Sequence, residues 1–446
     1  MRQDNKDNGN MKNYDFDTPV NRRGTFSYKW DVEDRELPMW VADMDFQTAP
    51  EIIQALTHRT EHGIFGYSIV PEQWYQAYQV WWKNRHGLEL EKESLIFCTG
   101  AVPAISTAVR KLTTPGENVV VLTPVYNIFF NSIRNNGRNV LESPLRYDPD
   151  SHEYEIDFRD LEEKLSDPQT SMLIFCNPHD PVGKIWDVET LKQIGTLCRK
   201  YHVVVISDEL HCDLTAPGKD YVPFASASDI CRSISVTCLA PTKCFNLAGL
   251  QTAAVMILDP YLRHKMWRAL NTDEVAEPNA YAMDATIAAL TKGEAWLDAL
   301  REYIAENKRL VTEYIGSELP ILHVIPSDAT YLLWLDCREI LEVMNTIDSM
   351  SETGMEGYMN DEAPSFDDRK ATGEDPAPDT ENRAVWDSGR LAEDIRRKTG
   401  LYLADGVQYG GNGAFFLRMN VACPKAYVKE GLKRLTSYVS HLDLFL

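Results

Sequence analysis

Five short stretches of this 446-residue chain carry residue types able to do chemistry. The first is Ala240-Pro-Thr-Lys243-Cys-Phe-Asn-Leu-Ala-Gly-Leu250, directly after the apolar run 233–237. A lysine held where a buried strand ends sits in a water-poor pocket. There its amine sheds a proton and can form a Schiff base with a carbonyl. Most lysines are solvated surface residues, and the flanking Phe245, Leu247 and Leu250 weigh against that reading without overturning it. The second stretch, Ser207-Asp-Glu-Leu-His-Cys-Asp213, places an acidic pair where the run 203–207 stops. In open α/β sheets ligands bind at the carboxyl ends of strands, so Asp208 either reaches a ligand or caps a turn. His211 and Cys212 have no second ligand pair nearby, so no metal is expected and His211 reads as a histidine packed behind the site.

Third, Asn177-Pro-His-Asp-Pro-Val-Gly183 joins two X-Pro steps into a stiff turn. It either fixes the Asn177 side chain over a strand end or is turn punctuation. Fourth, Cys98-Thr-Gly-Ala-Val-Pro103 leads a strand into a helix. Gly100 there allows backbone amides and the helix N-terminus to hold a phosphate, although many helices begin this way. Fifth come Tyr126, which can stack on a flat ligand or fill core, and Arg418 in the apolar run Phe415-Phe-Leu-Arg418. An unpaired guanidinium in such a strand is costly, so a protein or substrate carboxylate must meet Arg418. The residues alone favour the structural ion pair.

The elements that must position these groups are visible as β-branched runs at 118–122, 172–176, 203–207, 233–237 and 253–258. Near-continuous apolar runs are what strands buried on both faces look like. Helical spacing at 187–201, between two of them, predicts strands alternating with helices, an α/β fold with a mainly parallel sheet. Beyond about residue 290 the pattern changes. A long amphipathic helix is predicted over 293–316, strands over 331–335 and 414–420, and a last helix over 424–442, which together make a smaller α+β domain.

Composition narrows the function. Lys plus Arg number 45 against 67 Asp plus Glu, a net charge of −22, which argues against nucleic acid or an anionic membrane surface as partner. No apolar run approaches the ~18 residues of a membrane span. Nine cysteines without a CxxC pair suggest free thiols in a reducing cytoplasm. Residues 1–13 read as a disordered tail rather than a secretion signal. Residues 351–382 contain no Val, Ile or Leu and ten acidic residues against Arg369 and Lys370, and so read as a disordered surface insertion.

In their order, Gly100-Ala-Val102, Tyr126, Asn177-Pro-His, Asp208-Glu-Leu-His211 and Lys243-Cys-Phe-Asn-Leu-Ala-Gly249 resemble the fold-type I pyridoxal phosphate (PLP) enzymes. The closer resemblance is to the MalY/PatB-type carbon–sulfur β-lyases, or cystathionine β-lyases. It is carried by Leu37-Pro-Met-Trp-Val-Ala-Asp-Met-Asp-Phe46, Phe65-Gly-Tyr67, Asn177-Pro-His-Asp-Pro-Val-Gly183 and Ser207-Asp-Glu-Leu-His-Cys-Asp-Leu214, and runs from about Tyr14 to the last helix. It implies an N-terminal segment 14–50 packing with the small domain and a large PLP-binding domain 51–292. The small domain would be 293–446, with an acidic insertion at about 340–386. It also implies roles. Lys243 would hold PLP and move the α-proton, and Asp208 would pair with the pyridinium nitrogen, with His211 close by. Asn177 would meet the ring's phenolic oxygen and Tyr126 the ring face. Ala101, Val102 and Thr242 would hold the phosphate. Tyr67 would reach across a homodimer interface to the partner's phosphate. Arg418 would clamp the substrate α-carboxylate, with Ala42 and Tyr126 beside the substrate.

Three residues depart from the family pattern. Ala240 and Gln251 stand where many aminotransferases carry a phosphate-binding serine and arginine, which suits the lyase branch. Asp180 replaces a usual asparagine and adds a charge near Asn177. The expected activity is β-elimination from cysteine S-conjugates such as L-cystathionine, giving homocysteine, pyruvate and ammonia in the cytoplasm. An aminotransferase, or a PLP-binding regulator with a protein partner, is the alternative.

Overall fold

The computed structural model describes residues 14–353 and 385–442. The expected tail 1–13 and most of the acidic stretch lie outside the described residues. A seven-stranded sheet forms the centre, in the order Leu95–Cys98, Ala253–Met256, Ser235–Leu239, Val204–Asp208, Thr170–Cys176, Asn118–Thr123, Asn139–Pro144. Only Ala253–Met256 runs antiparallel to its neighbours. Its inner strands are buried on both faces because helices cover each side. Val119, Val121, Ile174 and Ile206 pack one way, and Val120, Leu173, Phe175 and Val205 the other.

The expected strand at 233–237 begins two residues later, because Ser228 caps a short helix, Asp229–Ile234, by accepting from the Cys231 amide. The helix expected over 187–201 forms as Val188–Lys200, with the Asp187 side chain accepting from the Thr190 amide. The edge strand Asn139–Pro144, largely part-exposed, and the helices Pro50–His62, Glu72–His86, Pro260–Thr272 and Ala282–Lys292 give no apolar run of the kind that marks the inner strands.

A second, antiparallel sheet is ordered His323–Val324, Leu332–Asp336, Phe416–Asn420, Ala404–Asp405. The 25-residue helix Glu294–Glu318 serves both cores: Trp296, Leu297 and Leu300 pack with the helices beside the large sheet, Val311 and Ile315 with the small one. The N-terminal segment is likewise shared. Leu37 pairs with Leu401 in a parallel bridge, while Phe16, Met44 and Phe46 join the larger core. The start of the stretch 340–386 is helical, since the helix Arg338–Thr353 buries Ile340, Leu341 and Met344 at helical spacing.

Candidate active site

Five strand ends and one helix N-terminus converge on a cavity of about 260 Å³. Thr99 and Gly100 follow the strand Leu95–Cys98, and Ala101, Val102 and Pro103 open the helix Ala101–Leu112. The first amides of that helix have no partner within it, so the cavity floor is suited to a phosphate. Asp208 ends its strand, Tyr126 and Asp180 follow theirs, and Thr242 and Lys243 follow Ser235–Leu239. This is the carboxyl edge of a parallel sheet, where a connection's direction leaves side chains facing a shared crevice.

The Lys243 amine donates to the Ala42 carbonyl at 2.9 Å. Burial pulls its pKa down from 10.5; Asp180 and Asp208 oppose that shift and Arg418 adds to it. Burial pushes Asp208 up to about 7, against the Leu210 amide, which donates to it at 3.3 Å, and the charge of Lys243. A buried carboxyl so poorly compensated is a natural partner for a cationic ring nitrogen. His211 is pushed down to about 3 by burial and is therefore neutral. Its Nδ1 lacks a partner among the described residues, and its ring meets Tyr331 edge-on at 5.9 Å. Burial raises the Tyr126 phenol to about 12, so it stays protonated.

A strap of chain, residues 37–46, closes the opposite side. Asn246, three residues after Lys243, accepts from the Met44 amide at 3.0 Å and donates to the Met44 and Phe46 carbonyls, each at 3.0 Å. Asn420 donates to the Val41 and Asp43 carbonyls, both at 2.6 Å. Tyr331 adds a bond to the Ala42 carbonyl at 2.8 Å. The strap thereby presents two carbonyls to basic side chains, Ala42 to Lys243 and Trp40 to Arg418 at 3.1 Å.

A model of the class I and II aminotransferases matches residues 39–435. The chain belongs to that family. It is 39% identical to cystathionine β-lyase PatB of Bacillus subtilis over 432 residues, 95% of this chain and all of that one. It is 28% identical to protein MalY of Escherichia coli, over 96% and 99% of the two chains. Among solved structures it matches cystalysin of Treponema denticola, which contains pyridoxal 5′-phosphate, with a TM-score of 0.81 at 28% identity over 96% and 99% of the chains. The PLP-bound C–S lyase of Staphylococcus hominis matches with a TM-score of 0.79 at 28% identity over 95% and 98%.

In this aminotransferase-family fold, Ala101, Val102, Tyr126, Asp208, His211, Thr242 and Lys243 line one cavity. Ala42 contributes its carbonyl, not its side chain. Asn177 is fully buried: its amide nitrogen donates to the Val222 carbonyl at 3.0 Å and its Oδ1 has no partner among the described residues, while Asp180 of the same turn lines the cavity. Gly183, at φ +70°, folds the turn back so that its N–H meets the His179 carbonyl at 2.7 Å. Arg418 meets both oxygens of Asp180, at 3.1 and 3.4 Å, which is the ion pair the bare residues favoured. Tyr67 lies fully exposed, beside exposed Ile64, Phe65 and Ile69. Gln251 also lines the cavity. Asn246, Asn420 and Tyr331 drew no functional reading from sequence; two of them are amides next to an expected site residue, the one signal that pointed to them.

Proposed function

We propose that this chain catalyses PLP-dependent β-elimination from L-amino acids bearing sulfur on the β-carbon, with L-cystathionine as leading substrate and homocysteine, pyruvate and ammonia as products. The observation that carries it is a buried lysine amine of lowered pKa sharing one cavity with a carboxyl pushed up to about 7. The donor set fits PLP: helix amides and Thr242 for the phosphate, Tyr126 for a ring face, Asp208 for the ring nitrogen. The names of the relatives agree with that chemistry. When bound, PLP supplies a sink for the electron pair left at the substrate's Cα. Lys243 Nζ, steadied by the Ala42 carbonyl, is the base that removes the Cα proton and can return it to the leaving sulfur. Arg418 holds the α-carboxylate, which turns the Cα–H bond toward that amine. Asp208 keeps the ring nitrogen protonated, and His211, neutral and packed against Asp180's side of the pocket, excludes water. The exposed stripe Ile64, Phe65, Tyr67 and Ile69 supports a homodimer in which Tyr67 of one protomer reaches its partner's phosphate site. No helix among the described residues is long and apolar enough to cross a membrane.

Supplied with L-cystathionine alone, the enzyme should release pyruvate, ammonia and thiol over many turnovers. Turnover that stops after about one equivalent per site, and resumes on adding a 2-oxo acid, would make it a transaminase instead.

A further inference from the structure

Arg418 is 5% exposed and its guanidinium is nearly committed. Nη1 faces both Asp180 oxygens, Nη2 donates to the Trp40 carbonyl, and the Tyr409 ring closes one face at 4.8 Å. Only Nε lacks a partner among the described residues. An incoming carboxylate therefore cannot form a two-pronged pair with Arg418 while Asp180 stays where it is. A neutral amide at this position would not compete in that way.

We propose, building on Arg418 as the holder of the substrate carboxylate, that Asp180 is a residue that sets the affinity for the substrate carboxylate. It is a resident carboxylate that must release Arg418 before an α-carboxylate binds, and its release draws one proton into the site. The backbone at Asp180 is pinned, since its carbonyl accepts from the Tyr126 amide at 3.1 Å and Pro181 follows it. The side chain must therefore swing. Another basic group beside it is His211, whose Nε2 lies 3.8 Å from Asp180 Oδ2. The remaining titratable groups facing Asp180 are Asp208, Lys243, Tyr126, Tyr331, Tyr409, His179 and Cys176. Two carboxylates set against one guanidinium in a buried pocket repel each other, and neutralising one by a proton from water costs less than burying both charged. The consequence is weaker binding of every α-carboxylate, relieved at lower pH.

The test titrates the holoenzyme with 3-phenylpropionate, a monocarboxylate that has no amine and cannot react. Calorimetry in two buffers of different ionisation heat counts protons, and the cofactor's absorbance reports any that the cofactor itself takes. Asp180→Asn should bind the ligand about tenfold more tightly than wild type. Wild type should take up about one proton per ligand beyond those the absorbance reports, and Asp180→Asn none. Arg418→Ala should abolish binding in either background. Unchanged affinity in Asp180→Asn, or no excess proton in wild type, overturns the proposal while leaving Arg418's role standing. Binding that survives Arg418→Ala overturns that role as well. Should Asp180→Asn fail to fold, the wild-type proton count decides alone.

Discussion

The end of the cavity under Gly100, Asp208 and Lys243 and the end at Asp180, behind which Arg418 lies, are built by opposite means. At the first, each group sits within a few residues of a strand's end, and the sheet alone brings them together. The charges there are under-compensated: burial lowers Lys243 and raises Asp208. At the second, Arg418 reaches Asp180 across 238 residues and Trp40 across 378, and those partners nearly saturate it. An end with under-compensated charges is prepared for a permanent guest that completes it. An end already satisfied by the protein is prepared for a visitor that must displace something.

Lys243→Ala breaks the first end most severely. Removing the base should cost at least about 10³-fold in turnover, given what a positioned proton-transfer group contributes. The folded protein should still bind PLP noncovalently, because the helix amides, Asp208 and Tyr126 remain. Borohydride treatment followed by peptide mapping checks the assignment: wild type should carry reduced cofactor on Lys243, and the variant on no lysine. Label appearing on another lysine would move the cofactor end elsewhere.

Why one end was legible and the other was not follows from this contrast. Lys243, Asp208, Tyr126, Thr242, Ala101 and Val102 could be read because a strand end is a local pattern: an apolar run, then a polar residue. Arg418's partner could not, since nothing local distinguishes a substrate carboxylate from Asp180. Asn177 and Asp180 lie in one turn, and the sequence of that turn does not say that Asp180 lines the cavity. The strap 37–46 was recognisable as a motif, but its offering of the Ala42 and Trp40 carbonyls depends on two distant amides, Asn246 in the loop after Lys243 and Asn420 at a strand's end. The edge strand Asn139–Pro144 escaped because half-exposed strands lose the continuous apolar run.

Asn420→Ala probes the strap. Its amide is buried and bonded to two strap carbonyls, so truncation strands both, at about 3 kcal/mol. Denaturant unfolding should register that loss. The two ends should then respond differently: KM for the amino acid should rise several-fold, while the cofactor's absorbance and affinity stay near wild type. A lost cofactor band with an unchanged KM would show that the strap serves the cofactor end.

The smallest effect expected comes from the strap's outer anchor. Glu36, buried at 6% exposure, receives Arg396 in a two-pronged pair, Nε at 2.6 Å and Nη2 at 2.9 Å. Next to it the Leu37 amide donates to the Gly400 carbonyl at 2.8 Å, and Arg396 also lies over Tyr402, which stacks on Trp40. The hydrogen bonds from Arg396 hold the Glu36 carboxyl below its ordinary 4.5. A folded-state pKa below the unfolded one means the unfolded chain binds more protons in that window. The pair's contribution is therefore fully present above about pH 5 and disappears as pH falls through the folded-state value. Arg396→Gln should thus cost about 1 kcal/mol at neutral pH, the scale of a well-aligned but half-exposed ion pair. That cost should stay flat from about pH 6 to 8 and shrink in acid, where Glu36 becomes neutral in both proteins. Urea unfolding of the two proteins across that range measures it. A cost that persists undiminished in acid would assign Arg396's contribution to its packing over Tyr402 rather than to charge, and the strap would then be held at Trp40 by stacking.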